Sequence, residues 1–502
     1  MIGPMRRFSS SCFSLLLSSG LAALPVAACV DSSSSPPATS GTDGGVSLGD
    51  GGGGPSDDGG SSGDGGGGPT LAPCPAAPAG AGTEHKNDIT ADETWTLAGS
   101  PHRITYNARV LSTVRIEPCA TVLIDDGYSI TIGNTPNVKG TLIAKGEHGV
   151  DANGKPIQRP VTIAASDSAK PWGSIYVNGS GMLDLEDVIL RDGASPTADQ
   201  NGGGVVITYG NDVGTGSVLK TVRAVNVTVD KARGYGFNFH TFTGFTDDSS
   251  NITVTGSGRA DRPFPIRMLP GTLSTLPTVT LTGNTANEVQ IIADNTAMIT
   301  DTFHARGVPY RVSGRMRVAP AADGGAVTLN IEAGATLRFE TWADSGLQIG
   351  TSDQRQGILV ANGTATAPIR FTSAKDTPAA ADWKNIYFSY TPSTGNSITY
   401  ATIEYAGAPS GAQGYGCGPA ENDASILLLA GRPDTAFIQN TTFQNGGGDT
   451  GLLLGWSSDA SGPDFVATNT FTSMPSCKVS RWRNATGTAC PGSTAGSPVC
   501  LL

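Results

Sequence analysis

The sequence predicts an all-β chain wound as a solenoid of short parallel strands. Three observations carry that expectation. Of 502 residues, 68 are Gly and only 15% are Asp, Glu, Lys or Arg, whereas an average globular domain has about 7% Gly and about 25% charged residues. Strand signals of a few β-branched or apolar residues recur at 121–124, 141–144, 161–164, 174–177, 183–190, 205–208, 225–229, 252–254 and 279–281. They are separated by Gly, Asn, Asp and Pro, with no helical period between them. The third observation is a repeat on the scale of half the chain. VRIEPCATVLI (114–124) answers to LNIEAGATLRF (329–339), GTLIAKG (140–146) to GILVANG (357–363), RPVTIAAS (159–166) to APIRFTSA (367–374), KPWGSIYV (170–177) to ADWKNIYF (381–388), and LEDVILRDGA (185–194) to ITYATIEYAGA (398–408). Parallel strands ordinarily need helical crossovers; strands joined by turns alone stack as coils of a solenoid.

Composition also removes functional classes. With 43 acidic against 32 basic residues the formal charge is −11, the wrong sign for a phosphate-backbone binder. The chain lacks the A/E/K/L/R richness of a coiled coil or helical repeat.

The elements follow in chain order. Arg6 and Arg7 precede an apolar stretch at 13–28 broken by serines, a positive n-region and an h-region of signal-peptide length. It ends Val26-Ala27-Ala28-Cys29, which resembles the lipobox of bacterial lipoproteins. The resemblance implies that residues 1–28 are a lipoprotein signal peptide and that Cys29 carries the lipid. It also implies an exported chain anchored in the cell envelope, with the membrane as partner. Val30 rather than Asp follows the cysteine, which leans toward the outer membrane or cell surface. Residues 29–73 are lipidated Cys and linker. From 30 to 70 there is no Lys, Arg or aromatic residue, so the segment cannot offset its ordering entropy and is expected to be a disordered tether. The first solenoid half is expected over 74–305, the second over 306–480, and a Cys-containing cap over 481–502. The Pro-rich stretch 259–277 leaves open whether the halves form one helix or two.

Of eight cysteines, Cys12 falls in the leader and Cys29 takes the lipid. The remaining Cys74, Cys119, Cys417, Cys477, Cys490 and Cys500 are an even number in an exported chain, as disulfides require. Their placement at the two ends pairs Cys74 with Cys119 and leaves four to staple the C-terminal region. No CxxC pair or nearby His supports zinc, and no metal site is expected.

The blocks IEPCATV, GTLIAKG, PVTIAAS, PWGSIYV and IEYAGA resemble those of bacterial exported right-handed parallel β-helix repeat proteins, in the pectate-lyase-like β-helix superfamily. The resemblance runs from about residue 90 to 480 and implies the fold without an activity, because that fold hosts lyases, hydrolases and adhesins. At roughly 22 residues per coil the chain would make roughly 18 coils. Trp172 and Trp383 occupy equivalent positions and are expected to pack inside rather than carry sugar. Asn226 and Asn251, each opening an Asn-x-Thr block, and Asn440 and Asn469, either mark turns or stack as ladders.

Paired carboxylates can hydrolyse glycosides, and clustered ones can hold Ca2+ for a lyase with Arg as base. Candidates for such chemistry are Asp184, Glu186, Asp187, Arg191 and Asp192, then Asp247 and Asp248 with His240, and the Asp125-Asp126-Gly127 turn. The polygalacturonase-like and pectate-lyase-like signature pieces are absent, as are HExxH and a P-loop. The expectation is therefore a noncatalytic surface lipoprotein that binds extracellular polysaccharide or a surface protein. It has no nucleic-acid partner and no cofactor beyond an optional Ca2+. The alternative is a polysaccharide lyase or glycoside hydrolase.

Overall fold

The computed structural model describes residues 69–134, 138–198, 203–210, 217–240, 242–293, 299–320, 325–341, 344–390, 392–409, 423–448, 450–455, 462–475, 477–481 and 499–500. Cys29, the linker through 68, Cys417 and Cys490 lie outside them. The chain divides into two units, Met1–Asp64 and Gly65–Leu502, and every described residue belongs to the second.

That unit is an all-β solenoid. Among the described residues its strands form a 13-stranded sheet running from Ala108–Val110 to Thr470–Thr472, a 12-stranded sheet in the first half, and a five-stranded and a seven-stranded sheet in the second. Pairing between coils is parallel throughout the 13-stranded sheet. Alternation explains why short segments suffice. In Ile175–Val177 the two aliphatic residues point inward and Tyr176 points out, the period of two that a half-buried strand requires. Inward residues stack from coil to coil, as in the column Val122, Ile163, Leu190, Val229, Val254 and Leu281, each buried.

Trp172 and Trp383 are both fully buried and play the same part in each copy. The indole Nε1–H of Trp172 donates to the Arg191 carbonyl at 2.7 Å, and that of Trp383 to the Glu404 carbonyl at 2.8 Å. Packing, not sugar stacking, is their role. The Pro-rich stretch does not divide the solenoid. Ile266–Met268 within it pairs with Tyr235–Phe239 on one side and Val289–Ile292 on the other.

One expectation needs correction, and the repeat carries a phase the sequence does not show. Coils are not uniform: sheet neighbours linked by hydrogen bonds lie 22 residues apart at Asn107 and Ser129, and 45 apart at Ser129 and Ser174. The excess is carried by excursions such as the antiparallel hairpin Glu147–Val150 with Pro156–Arg159. The described residues therefore supply 13 rungs to the long sheet, not roughly 18. The two copies also do not line up face to face. Thr121–Ile124 lies in the 12-stranded sheet, but its counterpart Thr336–Phe339 lies in the 13-stranded one. Ile130–Ile132 lies in the 13-stranded sheet, but its counterpart Gly346–Ile349 lies in the seven-stranded one. The second copy continues the first with a shift of one side.

At the N-terminal end Cys74 and Cys119 are disulfide-bonded, as their placement predicts. Cys477 is also disulfide-bonded. Val499–Cys500 pairs antiparallel with Ser480–Arg481.

Candidate functional site

The long strands Met182–Arg191 and Leu219–Asp230 fold over two sides of the solenoid. Met182–Glu186 pairs with Thr141–Lys145, and the part beyond Asp187 pairs with Val161–Ala164. The turn comes at Asp187 and Asn226, with φ of 50° and 53°. This bend separates the five residues singled out for catalysis. Asp184 and Glu186 face outward before it, and Arg191 and Asp192 come after it.

Asp184 and Glu186 sit in a cationic cradle. Arg223 Nη1 donates to Asp184 Oδ1 and to Glu186 Oε2, both at 2.9 Å, and its Nε donates to Asp248 Oδ2 at 2.5 Å. Lys145 Nζ lies 3.2 Å from Asp184 and 3.4 Å from Glu186. Burial opposes the Arg223 charge, but the three carboxylates outweigh it and hold its pKa above the ordinary arginine value. Burial likewise favours protonation of Glu186, and Arg223 and Lys145 overcome it, leaving Glu186 below the usual range. A general acid needs the opposite shift. Asp187 accepts from Asn226 Nδ2 at 3.2 Å and contacts His148 Nδ1 at 2.8 Å. Arg191 pairs with Asp230 at 2.9 Å, and burial raises the Asp192 carboxyl. Asp247 pairs with Lys220. This arrangement staples neighbouring coils by ion pairs. Among the described residues no group of three or more His, Cys, Asp or Glu side chains is arranged to hold a metal ion.

A different surface has the form of a binding site. On the outer face of the 13-stranded sheet, Tyr176 occupies the centre of its strand, Tyr209 directly follows Gly204–Thr208, and His240 directly follows Tyr235–Phe239. The ladder hydrogen bonds continue through them, from Tyr209 N to Val177 O and from His240 N to Thr208 O. Tyr209 and His240 are thus in register, while Tyr176 pairs with Ile207 and its ring reaches Tyr209 diagonally. Tyr176 and Tyr209 stack with centroids 6.4 Å apart, Tyr209 and His240 with centroids 5.1 Å apart, and both pairs are inclined by 23°. An open depression of about 800 Å³ borders the tyrosine end of this row, lined by Asn107, Asp126, Tyr128, Tyr176, Asn178 and Tyr209. The row ends on Arg267, whose Nη1 donates to Asn238 Oδ1 and His240 Nε2, both at 3.0 Å.

Of the sequence candidates, the Asp125-Asp126-Gly127 turn contributes Asp126 to the rim, and His240 joins this row rather than the Asp247–Asp248 turn. Tyr128, Tyr176, Tyr209 and Arg267 escaped sequence reasoning. Their only signal is one aromatic or Arg side chain per coil, and unequal coils hide that register. No helix among the described residues is long and apolar enough to cross a membrane. Compared with family models, curated proteins and solved structures, the chain matches none significantly.

Proposed function

We propose that the chain is a noncatalytic glycan-binding lipoprotein, a parallel β-helix held at the cell envelope through Cys29, which binds polysaccharide along its tyrosine row. In this reading its coils wind right-handed, the sense that parallel crossovers take. The observation that carries the binding role is the stacked row of Tyr176, Tyr209 and His240 beside the depression lined by Asn107 and Asn178. Aromatic faces take the apolar faces of sugar rings, and side-chain amides take hydroxyls. A shallow groove along a ladder suits an extended chain better than a small molecule, which is usually enclosed. The noncatalytic role is supported by the ion pairing of Asp184 and Glu186 with Arg223 and Lys145, and by the lowered pKa of Glu186, the opposite of what a general acid needs.

Calorimetric titration with neutral and acidic oligosaccharides tests this. Tyr209→Ala should weaken binding at least tenfold, about 1.4 kcal/mol, with the melting temperature nearly unchanged. Native-like affinity in that variant would reject the groove. New reducing ends or unsaturated products during incubation would replace the binding role with hydrolysis or lysis. Cys29→Ala should release the protein from membrane fractions, and continued retention would reject the anchor.

A further inference from the structure

Five arginines lie in strands of the 13-stranded sheet: Arg109, Arg267, Arg311, Arg338 and Arg370. Four have a carboxylate. Arg109 pairs with Asp88, Arg311 and Arg338 share Glu288, and Arg370 pairs with Glu404. Arg267 has none among the described residues. Its register neighbours are the neutral Asn238 and Gln290, and burial acts against its charge.

The geometry at Arg267 is specific. Arginine is a donor only, so His240 meets it through an unprotonated Nε2. Asn238 Oδ1 and His240 Nε2 together engage Nη1 and fix the guanidinium plane. Nε and Nη2 have no acceptor among the described residues. These two nitrogens form the edge of the fork that grips an oxyanion with two parallel hydrogen bonds. A desolvated guanidinium lacking an anion is costly to keep, and an incoming oxyanion removes that cost.

We infer that Arg267 is a recognition subsite for an oxyanion substituent, carboxylate or sulfate ester, on a sugar held against Tyr209. The inference rests on the tyrosine row being a glycan groove. Arg267 selects acidic sugars from among those the row can hold. The anchored Nη1 end makes the fork rigid before the ligand arrives, so little is lost in ordering it.

Three oligosaccharide probes of matched length test the subsite by calorimetric titration: one carrying carboxylates, one carrying sulfate esters but no carboxylate, and one neutral. The native protein should prefer at least one acidic probe over the neutral one. Arg267→Met should weaken that probe about tenfold or more, the loss expected for a charged hydrogen-bonded pair, and leave the neutral probe within about twofold. Arg267→Lys, which keeps the charge and the fold but loses the fork, should fall between. The acidic probe that loses affinity identifies the oxyanion. Equal affinity of native and Arg267→Met for both acidic probes would overturn the subsite, as would no native preference for either. Failure of the groove itself reads differently: Tyr209→Ala would then leave all three probes unchanged.

Discussion

At Asp187 the backbone enters the left-handed region, with φ of 50°, and the buried carboxylate sits at the head of a ladder. Asn251 Nδ2 donates to Asn226 Oδ1 at 3.0 Å, Asn226 Nδ2 donates to Asp187 Oδ1 at 3.2 Å, and His148 Nδ1 lies 2.8 Å from Asp187 Oδ2. Asn226 and Asn251 share the conformation, with φ of 53° each. Asn and Asp are the L-residues that tolerate it best. Asp187→Ala removes both the tolerant backbone and the acceptor of a half-buried amide. It is expected to lower unfolding free energy by about 2–3 kcal/mol, whereas Asp187→Asn should lose under about 1 kcal/mol. Urea denaturation midpoints decide the matter, and equal losses would mean that the bend makes no demand on this position. The two asparagines were legible in the sequence because their Asn-x-Thr blocks stand one coil apart. Asp187 was not, since a carboxylate in an acidic run draws a catalytic interpretation. Only the register of its strand against Asn226 exposes the structural role.

Among larger pieces, the segment leading into the first coil behaves as a strap. Leu71 N donates to Val150 O at 2.7 Å, and Val150 N donates to Pro69 O at 3.1 Å, so the strap lies against the hairpin Glu147–Val150/Pro156–Arg159. Gly149 allows this approach, because a Cβ there would fall 2.1 Å from Pro69 O. Farther on, Cys74 binds Cys119 across 45 residues, a loop that encloses the first coil. Closing a loop of that length removes unfolded-chain entropy worth roughly 4 kcal/mol. Reduction should therefore loosen the strap and first coil, and the strand around Cys477, while the central coils, held by their own neighbours, stay protected. Hydrogen exchange with and without reductant is the measurement. Uniform loss of protection along the solenoid would show that the disulfide serves the whole and not its end. The pairing was legible from cysteine placement alone. The hairpin was not, since its residues EHGV and PIQR carry no apolar alternation, and its place is fixed by contacts to the strap and to Asp187.

On the scale of the whole solenoid, the shift of one side between copies decides where function can reside. The sequence aligns Tyr176 with Tyr387, but the first lies in the 13-stranded sheet and the second in the seven-stranded one. Tyr176 borders the open depression. Tyr387 packs against a separate buried apolar cluster of Ala424, Leu427, Leu429 and Leu453. Duplicated residues thus met different surroundings, and the aromatic groove belongs to the first copy. The joint is firm. Val289–Ile292 of the first copy pairs with Tyr310–Ser313 of the second, and Glu288, buried, binds both Arg311 and Arg338 across it. Periodicity revealed both copies, but the phase between them is set only by how the strands pair across the joint. If the joint is a continuous sheet, the first half cannot end cleanly by itself. A chain stopped after residue 305 would expose Val289–Ile292 as an open parallel edge and orphan Glu288. Unpaired edges of this kind recruit other chains. The truncated protein is expected to self-associate in light scattering coupled to gel filtration, at concentrations where the full chain keeps its native mass. A stable monomer retaining the full-length melting profile would instead make the copies independent domains.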